Sequence, residues 1–214
     1  MCFLLNNLKQ ITTVAYGKST LPGNLVFYQG DSSIEYPIDF FVFLLRKGEK
    51  TILIDAGCET MPGFIMKDFK GSVRALAEIG VAPDDITDLI ITHAHHDHIE
   101  CAKYFRNSVV HIQKDEYEKA GKYLADNTNL NVFENEFTVC DGVKIIKIGG
   151  HTKGSCIVEI DNNIIAVGDE CYMKECIDKQ VATGVSFCLE KSKEFIKKYS
   201  NSSYTLLFSH SANS

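Results

Sequence analysis

The stretch ITHAHHDHIEC, residues 91–101, places four histidines and one aspartate within the six positions from His93 to His98. Side chains at positions i and i+2 of an extended backbone point the same way, so His93 and His95 can bind one metal ion. Asp97 and His98 follow the turn and can reach a second ion nearby. Imidazole and carboxylate groups suit zinc, iron or manganese, and the stretch therefore predicts a metal site.

A histidine-rich surface turn without a metal ion is the alternative explanation of this stretch. Three later segments argue against it: GGHTKGS places His151 between glycines, AVGDE leads a predicted strand into Asp169, and LLFSH leads another into His210. Asp55 and His93 also follow predicted strands directly. Polar residues at the ends of rigid strands are where functional sites tend to be assembled, so these segments support a metal site.

Short β-rich runs dominate the chain, and turn residues separate them. These runs lie at 38–45, 51–57, 88–94, 108–113, 137–140, 143–150, 155–160, 163–169 and 204–210, and Asp55, His93, Asp169 and His210 come where the strand within its run ends. Segments 143–148, 155–160 and 163–168 are predicted to form an antiparallel meander. Helices are predicted at 72–80, 114–126 and 189–200, the first with Val73, Leu76, Ala77 and Ile79 on its buried side.

The order of these elements predicts the fold class. Strands outnumber helices, which occur mainly in the middle and at the end of the chain. This arrangement favours two sheets packed face to face with helices outside, which is an α/β layered sandwich. Because no repeat, low-complexity tract or linker divides the sequence, we predict one domain over residues 1–214.

Composition excludes several classes of partner. A net charge of -6 argues against nucleic acid and anionic membranes, since both reward clusters of Lys and Arg. The longest apolar run, residues 40–45, is far short of the ~20 residues of a membrane helix, and the N-terminus lacks the basic region of a signal peptide. The 8 cysteines are scattered without a C-x-x-C pair, so we expect reduced thiols and a cytoplasmic protein.

The segments THAHHDH, GGHTKGS, VGDE and FSH resemble the five-part signature of the metallo-β-lactamase superfamily. The resemblance covers nearly the whole chain from TILIDAG onward and implies a four-layer αββα sandwich. It also implies two divalent metal ions, zinc first, with iron, manganese or cobalt as alternatives. The implied ligands are His93, His95 and His151 for one ion, Asp97, His98 and His210 for the other, and Asp169 bridging both.

Two ions roughly 3.5–4 Å apart can hold a hydroxide between them that attacks an ester carbonyl. Tyr172, three residues after Asp169, resembles the tyrosine of N-acyl-homoserine lactonases, the quorum-quenching branch, which hydrogen-bonds the lactone carbonyl. The resemblance therefore implies a lactonase that acts on a small-molecule lactone or ester, with Asp97, Asp169 and Tyr172 as catalytic residues. A ring that merely packs in a loop is the alternative for Tyr172.

Other residues around the signature have two interpretations each. Asp55 resembles the aspartate that steadies the metal histidines from behind, or it caps a turn. His96 faces substrate, supports the metal ligands from behind, or is merely solvated. The loop ETMPGFIMKDFK places Phe64, Met66 and Phe69 where lactonases cover an acyl chain, although these residues can equally anchor the loop to the core.

Two other functions remain open at this point. A thioesterase that resembles glyoxalase II would use the same ligands, but we would expect a basic C-terminal extension for glutathione, which is absent here, and Tyr172 would be unexplained. A non-catalytic module that binds metal or a small molecule is the candidate from a different class. The sequence makes no prediction of oligomeric state.

Overall fold

Two mixed β-sheets organise the chain in a computed structural model, which describes residues 10–63, 65–200 and 203–211. The chain divides into two compact units, one formed by Met1–Gly17 with Phe40–Phe133 and the other by Lys18–Asp39 with Glu134–Ser214. Phe64 lies outside the described residues. None of the helices in the described part of the chain is long and apolar enough to cross a membrane.

The first sheet has six strands in the order β1-β2-β3-β4-β5-β6. Its strands are β1 (Ile11–Pro22), β2 (Glu35–Lys47), β3 (Lys50–Ile54), β4 (Asp88–Ile91), β5 (Val109–Gln113) and β6 (Leu130–Phe133). β2 and β3 form an antiparallel hairpin through Gly48, whose φ of 59° suits glycine. Strands β3 to β6 are parallel to one another, and parallel strands need crossover connections.

Helices provide these crossovers in the first unit. They are α2 (Ser72–Glu78) between β3 and β4, α3 (His96–Ile99) with a 3-10 helix (Glu100–Tyr104) between β4 and β5, and α4 (Lys114–Leu124) between β5 and β6. Parallel strands end at the same edge of a sheet, so the residues after β3 and β4 become neighbours. The backbone N–H of Asp55 donates to the carbonyl of Ile90 at 2.8 Å, which joins these two strand ends directly.

The second sheet has the order β11-β10-β9-β8-β7. Its strands are β7 (Glu136–Cys140), β8 (Val143–Lys147), β9 (Cys156–Ile160), β10 (Ile164–Ala166) and β11 (Thr205–Leu207). The predicted meander is confirmed, because β8, β9 and β10 pair antiparallel in sequence order. β11 pairs parallel with β10, so the segments that lead to Asp169 and His210 leave the sheet at the same edge.

The second unit also contains three helices, α1 (Gly23–Val26), α5 (Lys174–Lys179) and α6 (Leu189–Ser200). The predicted helix 189–200 is confirmed as α6, which buries Ser192, Phe195, Ile196 and Tyr199. Phe195 and Tyr199 stack with ring centroids 4.7 Å apart, as expected for aromatic residues one turn apart on a helix.

The predicted buried face of α2 is right for Leu76 but wrong for Val73, Ala77 and Ile79, which are not buried. The helix buries Ser72, Ala75 and Leu76, whereas Ile79 is 48% exposed. The Ser72 hydroxyl donates to the carbonyl of Ala56 at 2.6 Å, which satisfies this polar group in a buried position. A pattern that counts only apolar residues cannot detect such a serine.

A buried polar network ties the amino ends of the parallel strands in the first unit. The Asp88 carboxylate accepts hydrogen bonds from Lys50 Nζ at 2.7 Å, Thr87 Oγ1 at 2.7 Å and His111 Nε2 at 3.0 Å. Asn131 Nδ2 donates to His111 Nδ1 at 3.0 Å, so the network spans β3 to β6. Burial alone would raise the pKa of Asp88, but the hydrogen bonds from His111, Lys50 and Thr87 outweigh it and lower the pKa to about 2.

We expect Asp88→Asn to reduce the free energy of unfolding at neutral pH by about 1.5–3 kcal/mol, because hydrogen bonds to a charged acceptor are lost. The folded-state pKa lies below the ordinary value of 3.8. The carboxylate therefore contributes stability above that ordinary value, and the contribution is lost as the pH falls through about 2. Urea unfolding at a series of pH values measures the difference between wild type and variant.

Asp126→Asn is the matched control, because Asp126 forms an exposed ion pair with Arg106 at 3.2 Å. Such pairs contribute about 0–1 kcal/mol. An Asp88→Asn protein as stable as the control at pH 7 would contradict the prediction.

Candidate metal centre

The first unit brings four predicted ligands together immediately after β4. His93 Nε2 and His95 Nδ1 lie 3.0 Å apart, and their rings meet edge to face. His98 Nε2 lies 3.7 Å from Asp97 Oδ2. Within each pair the ligand atoms are less than 4.8 Å apart, a separation that one ion can span. His95 precedes α3 in an extended conformation, and the short helix then turns Asp97 and His98 to a new direction.

Asp55 orients this group from behind. Its carboxylate accepts the Thr92 backbone N–H at 2.8 Å and the Thr92 hydroxyl at 2.9 Å, and it lies 2.8 Å from His98 Nδ1. His98 therefore has its Nδ1 hydrogen directed to a carboxylate and its Nε2 lone pair directed away from it. Asp55 has a φ of 62°, in the left-handed region that aspartate tolerates better than most residues.

Main-chain contacts hold the rest of the histidine stretch. The Tyr16 hydroxyl donates to the carbonyl of Asp97 at 2.7 Å, and the backbone N–H of Ala94 donates to Glu116 Oε2 at 2.9 Å. Burial, followed by the charge of Asp97, raises the pKa of Tyr16 well above its ordinary value, so the phenol keeps its proton. Sequence reasoning missed Tyr16 and Glu116, because they lie far from the stretch along the chain.

His96 contacts protein groups within the first unit. Its Nε2 lies 2.9 Å from Thr60 Oγ1 and 3.0 Å from the Thr60 carbonyl, and its Nδ1 lies 3.2 Å from the Tyr123 hydroxyl. These contacts link the loop after β3 to helix α4. The ring thus connects two segments that flank the ligand stretch, rather than standing only in solvent.

The loop predicted to cover an acyl chain is partly anchored. Met66 is buried, and a Cβ added at Gly17 would lie 2.5 Å from Met66 Cε and 3.1 Å from Phe69 Cδ2. Both side chains therefore pack on β1 at a glycine that makes room for them. Ile65, by contrast, is 79% exposed.

The second unit brings three predicted ligands together in a buried cluster of His151, Asp169 and His210. Asp169 presents one carboxylate oxygen to each imidazole, with Oδ2 3.5 Å from His151 Nε2 and Oδ1 3.1 Å from His210 Nε2. His151 Nδ1 lies 2.8 Å from the Val185 carbonyl, and His210 Nδ1 lies 3.1 Å from the Asp39 carbonyl. Both Nδ1 atoms must donate to these carbonyls, which leaves the Nε2 lone pairs directed at the Asp169 side.

Tyr172 lies beside this cluster. Its ring packs edge-on against His151 and His210, with centroid distances of 5.8 Å and 5.3 Å. The side chain is 6% exposed, so its orientation is restricted by its neighbours. The tyrosine that sequence reasoning singled out therefore touches two of the predicted ligands.

Sequence reasoning assigned no role to Glu170, the residue after Asp169. It is fully buried, and its carboxylate contacts the loop that carries His151. Burial raises the pKa of Glu170 to about 7, although hydrogen bonds from Ser155, His151 and Gly150 act to lower it. The only feature of the sequence that pointed to Glu170 was its place in the motif GDE. Acidic residues beside strand ends are too common for this feature to indicate a role.

The donor set of each unit fits divalent metal ions. Nδ1 of His98, His151 and His210 faces an oxygen acceptor, which fixes the tautomer with a lone pair on Nε2. Neutral imidazole nitrogens and carboxylate oxygens are the ligands of zinc and its first-row neighbours. Three of the predicted ligands, His98, His151 and His210, have this arrangement.

Residues 41–181 match the sequence profile of the metallo-beta-lactamase superfamily, and this segment is more than half of the chain. The chain belongs to the metallo-beta-lactamase superfamily. The family predicted from the signature is therefore confirmed.

Curated relatives of this superfamily protein include an N-acyl homoserine lactonase of Bacillus cereus. It is 28% identical over 191 residues, which cover 76% of this chain and 72% of the relative. N-acyl homoserine lactonase AiiB of Agrobacterium fabrum is 23% identical over 223 residues, which cover 83% of this chain and 80% of the relative.

Solved structures resemble the fold over nearly its full length. An N-acyl homoserine lactone hydrolase with N-hexanoyl-L-homoserine bound at its catalytic metal centre has a TM-score of 0.81 at 22% identity, with 94% of this chain and 92% of that chain covered. AidC, a dizinc quorum-quenching lactonase, has a TM-score of 0.75 at 17% identity, with 94% and 86% covered. These similarities confirm the predicted α/β fold of the metallo-β-lactamase type.

We expect Asp55→Ala to weaken metal binding by about 10–100-fold, because His98 loses the carboxylate that fixes its tautomer and orientation. Isothermal titration of metal-free protein with Zn²⁺ or Co²⁺ measures the effect. Asp84→Asn is the control, since Asp84 is an exposed carboxylate of the same unit that accepts a hydrogen bond from Asn107. Equal affinities in both variants would show that Asp55 does not support the ligand.

Proposed function

We propose that the protein is a dinuclear metal hydrolase that opens a lactone of the N-acyl-homoserine type or a related small lactone. The supporting observation is the carboxylate of Asp169, which directs one oxygen to His151 and the other to His210. A carboxylate with two such neighbours suits the ligand shared by two ions. Membership in the superfamily, with relatives named lactonases and hydrolases, establishes the coarser class of metal-dependent ester hydrolase.

We assign the ligands of the two ions as the sequence predicted. One ion would be held by His93, His95 and His151 and the other by Asp97, His98 and His210, with Asp169 as a ligand of both. Zinc is the first candidate metal, because the ligand set suits it and because one structurally similar lactonase is named a dizinc enzyme.

The bound metal pair would supply Lewis acidity, which polarises the ester carbonyl and makes water acidic enough to react near neutral pH. The chain's own groups then complete the reaction. The water oxygen forms a bond to the carbonyl carbon, the ring C–O bond breaks, and the leaving alkoxide must gain a proton. Asp97 is the proton carrier in this proposal: its partly exposed carboxylate, which lies beside His98, would take the proton that the attacking water loses and return it to the alkoxide.

Tyr172 is proposed to bind the substrate carbonyl. A phenol with an ordinary pKa near 10 is a neutral donor at working pH, and its hydrogen bond strengthens as charge develops on the carbonyl oxygen. Its ring packs against His151 and His210, which restricts the rotamers of the side chain and therefore the position of the hydroxyl. This preorganisation is what makes such a donor effective in catalysis.

We expect Tyr172→Phe to lower kcat for N-hexanoyl-homoserine lactone by roughly 10–1000-fold, because one donor to the developing oxyanion is lost. The assay follows the proton released on ring opening, beside a parallel assay with S-lactoylglutathione as a thioester. Tyr204→Phe is the control, since Tyr204 lies in the same unit and stacks on Tyr199. An unchanged kcat would remove Tyr172 from the mechanism, and preference for the thioester would favour a thioesterase.

Removal of metal should abolish turnover, and addition of two equivalents of Zn²⁺, Mn²⁺, Co²⁺ or Fe²⁺ should restore it. Activity plotted against added metal, with bound metal measured by elemental analysis, gives the stoichiometry. Full activity at one equivalent would contradict the dinuclear proposal. Two bound equivalents without turnover on lactones, esters or thioesters would support a binding module instead.

A further inference from the structure

Glu170 connects two ligand-bearing segments of the second unit. It directly follows Asp169 in the chain, and its carboxylate accepts the backbone N–H groups of Gly150 at 3.1 Å and His151 at 3.2 Å. The Ser155 hydroxyl also donates to the same carboxylate through a short hydrogen bond. One side chain thus contacts both the first and the last residues of the loop 150–155.

The loop is shaped to receive this carboxylate. A Cβ added at Gly150 would lie 2.3 Å from Glu170 Oε2 and 2.7 Å from Ser192 Oγ, so only glycine leaves room there. Ser155 Oγ accepts the Thr152 N–H at 3.0 Å, which closes the loop on itself. Gly150, the second glycine of GGHTKGS, is therefore required on steric grounds, because a side chain there would collide with the Glu170 carboxylate.

A fully buried carboxylate is costly unless its oxygens accept hydrogen bonds, and the donors to Glu170 all belong to the loop 150–155. The atoms that these bonds hold are the backbone of His151 and, through the adjacent peptide bond, the turn of Asp169. Ligand positions matter on a scale of about 0.5 Å for a working site. A carboxylate that clamps both segments can supply that restraint.

We infer that Glu170 is a positioning residue that fixes the main chain of His151 against the turn of Asp169. It thereby sets the separation of the two ligand side chains, whose nearest atoms are 3.5 Å apart. The inference rests on the proposed function only in treating His151 and Asp169 as metal ligands. Glu170 touches neither substrate nor ion in this role and acts through its neighbours.

The test compares Glu170→Ala and Glu170→Gln in the full-length protein. Alanine leaves two backbone N–H groups buried without an acceptor, so Co²⁺ affinity should fall by about 10–100-fold and the visible Co²⁺ absorption spectrum should change. Glutamine keeps one oxygen for the backbone donors, and Ser155 can turn its hydroxyl to the Thr152 carbonyl 3.0 Å away. Glu170→Gln should therefore stay within about tenfold of the wild-type affinity.

Glu159→Gln is the matched control, because Glu159 lies on β9 in the same unit, opposite Lys144 and outside the loop 150–155. Thermal unfolding of the metal-free proteins separates a general loss of stability from a change at the ligands. Wild-type Co²⁺ affinity and spectrum in Glu170→Ala would overturn the inference. An affinity loss that Glu170→Gln does not rescue, and that parallels the loss of melting temperature, would overturn it too.

Two readouts distinguish this inference from the proposed function. In metal-free crystals of Glu170→Ala, the distance between His151 Nε2 and Asp169 Oδ2 should exceed the distance in metal-free wild-type crystals, and this measurement needs neither metal nor substrate. For a protein that turns over lactones, kcat should fall more than KM changes. An unaltered distance would refute the positioning role while leaving the lactonase proposal intact, and a protein inactive on every lactone would do the reverse.

Discussion

Each of His98, His151 and His210 has its Nδ1 hydrogen committed to an oxygen acceptor, and the chemistry of the site depends on that constraint. The acceptors are the Asp55 carboxylate and the carbonyls of Val185 and Asp39. A neutral imidazole held in this manner has one lone pair, on Nε2, in a fixed direction. A metal ion binds histidine through such a lone pair. The acceptors on Nδ1 therefore help to determine the direction from which each histidine can bind a metal ion.

Strand pairing explains why these acceptors and the predicted ligands lie close together within each unit. The parallel pair β3 and β4 brings Asp55 beside Thr92, and the parallel pair β10 and β11 sends the segments of Asp169 and His210 to one edge of the sheet. Parallel pairing is possible only because crossover segments intervene between the strands. The crossovers differ in length, but within each of these pairs the two parallel strands end at the same edge of their own sheet.

Short-range spacing made much of this predictable, and long-range contacts account for what was missed. Residues 93–98 lie within one turn, so their spacing alone indicated ligands, and β-rich runs separated by turn residues located most strands. Tyr16 and Glu116 support the same segment from positions that no local pattern connects to it. Strand β1 and helix α5 also lacked a clear pattern, and the buried Ser72 was hidden by its polarity.

The network of Asp88, Lys50 and His111 joins the strands at the end where they begin, whereas the ligand residues follow the end where they finish. The hydrogen bonds that join the strands and the predicted ligands His93 to His98 therefore lie at opposite edges of the first sheet. Laboratory evolution of such a scaffold could randomise the loop at 56–71 for new substrates while residues 93–98 and the hydrogen-bonded network at the opposite edge are kept. Nature has the same freedom, which is one physical basis for the variety of reactions that a single architecture can host.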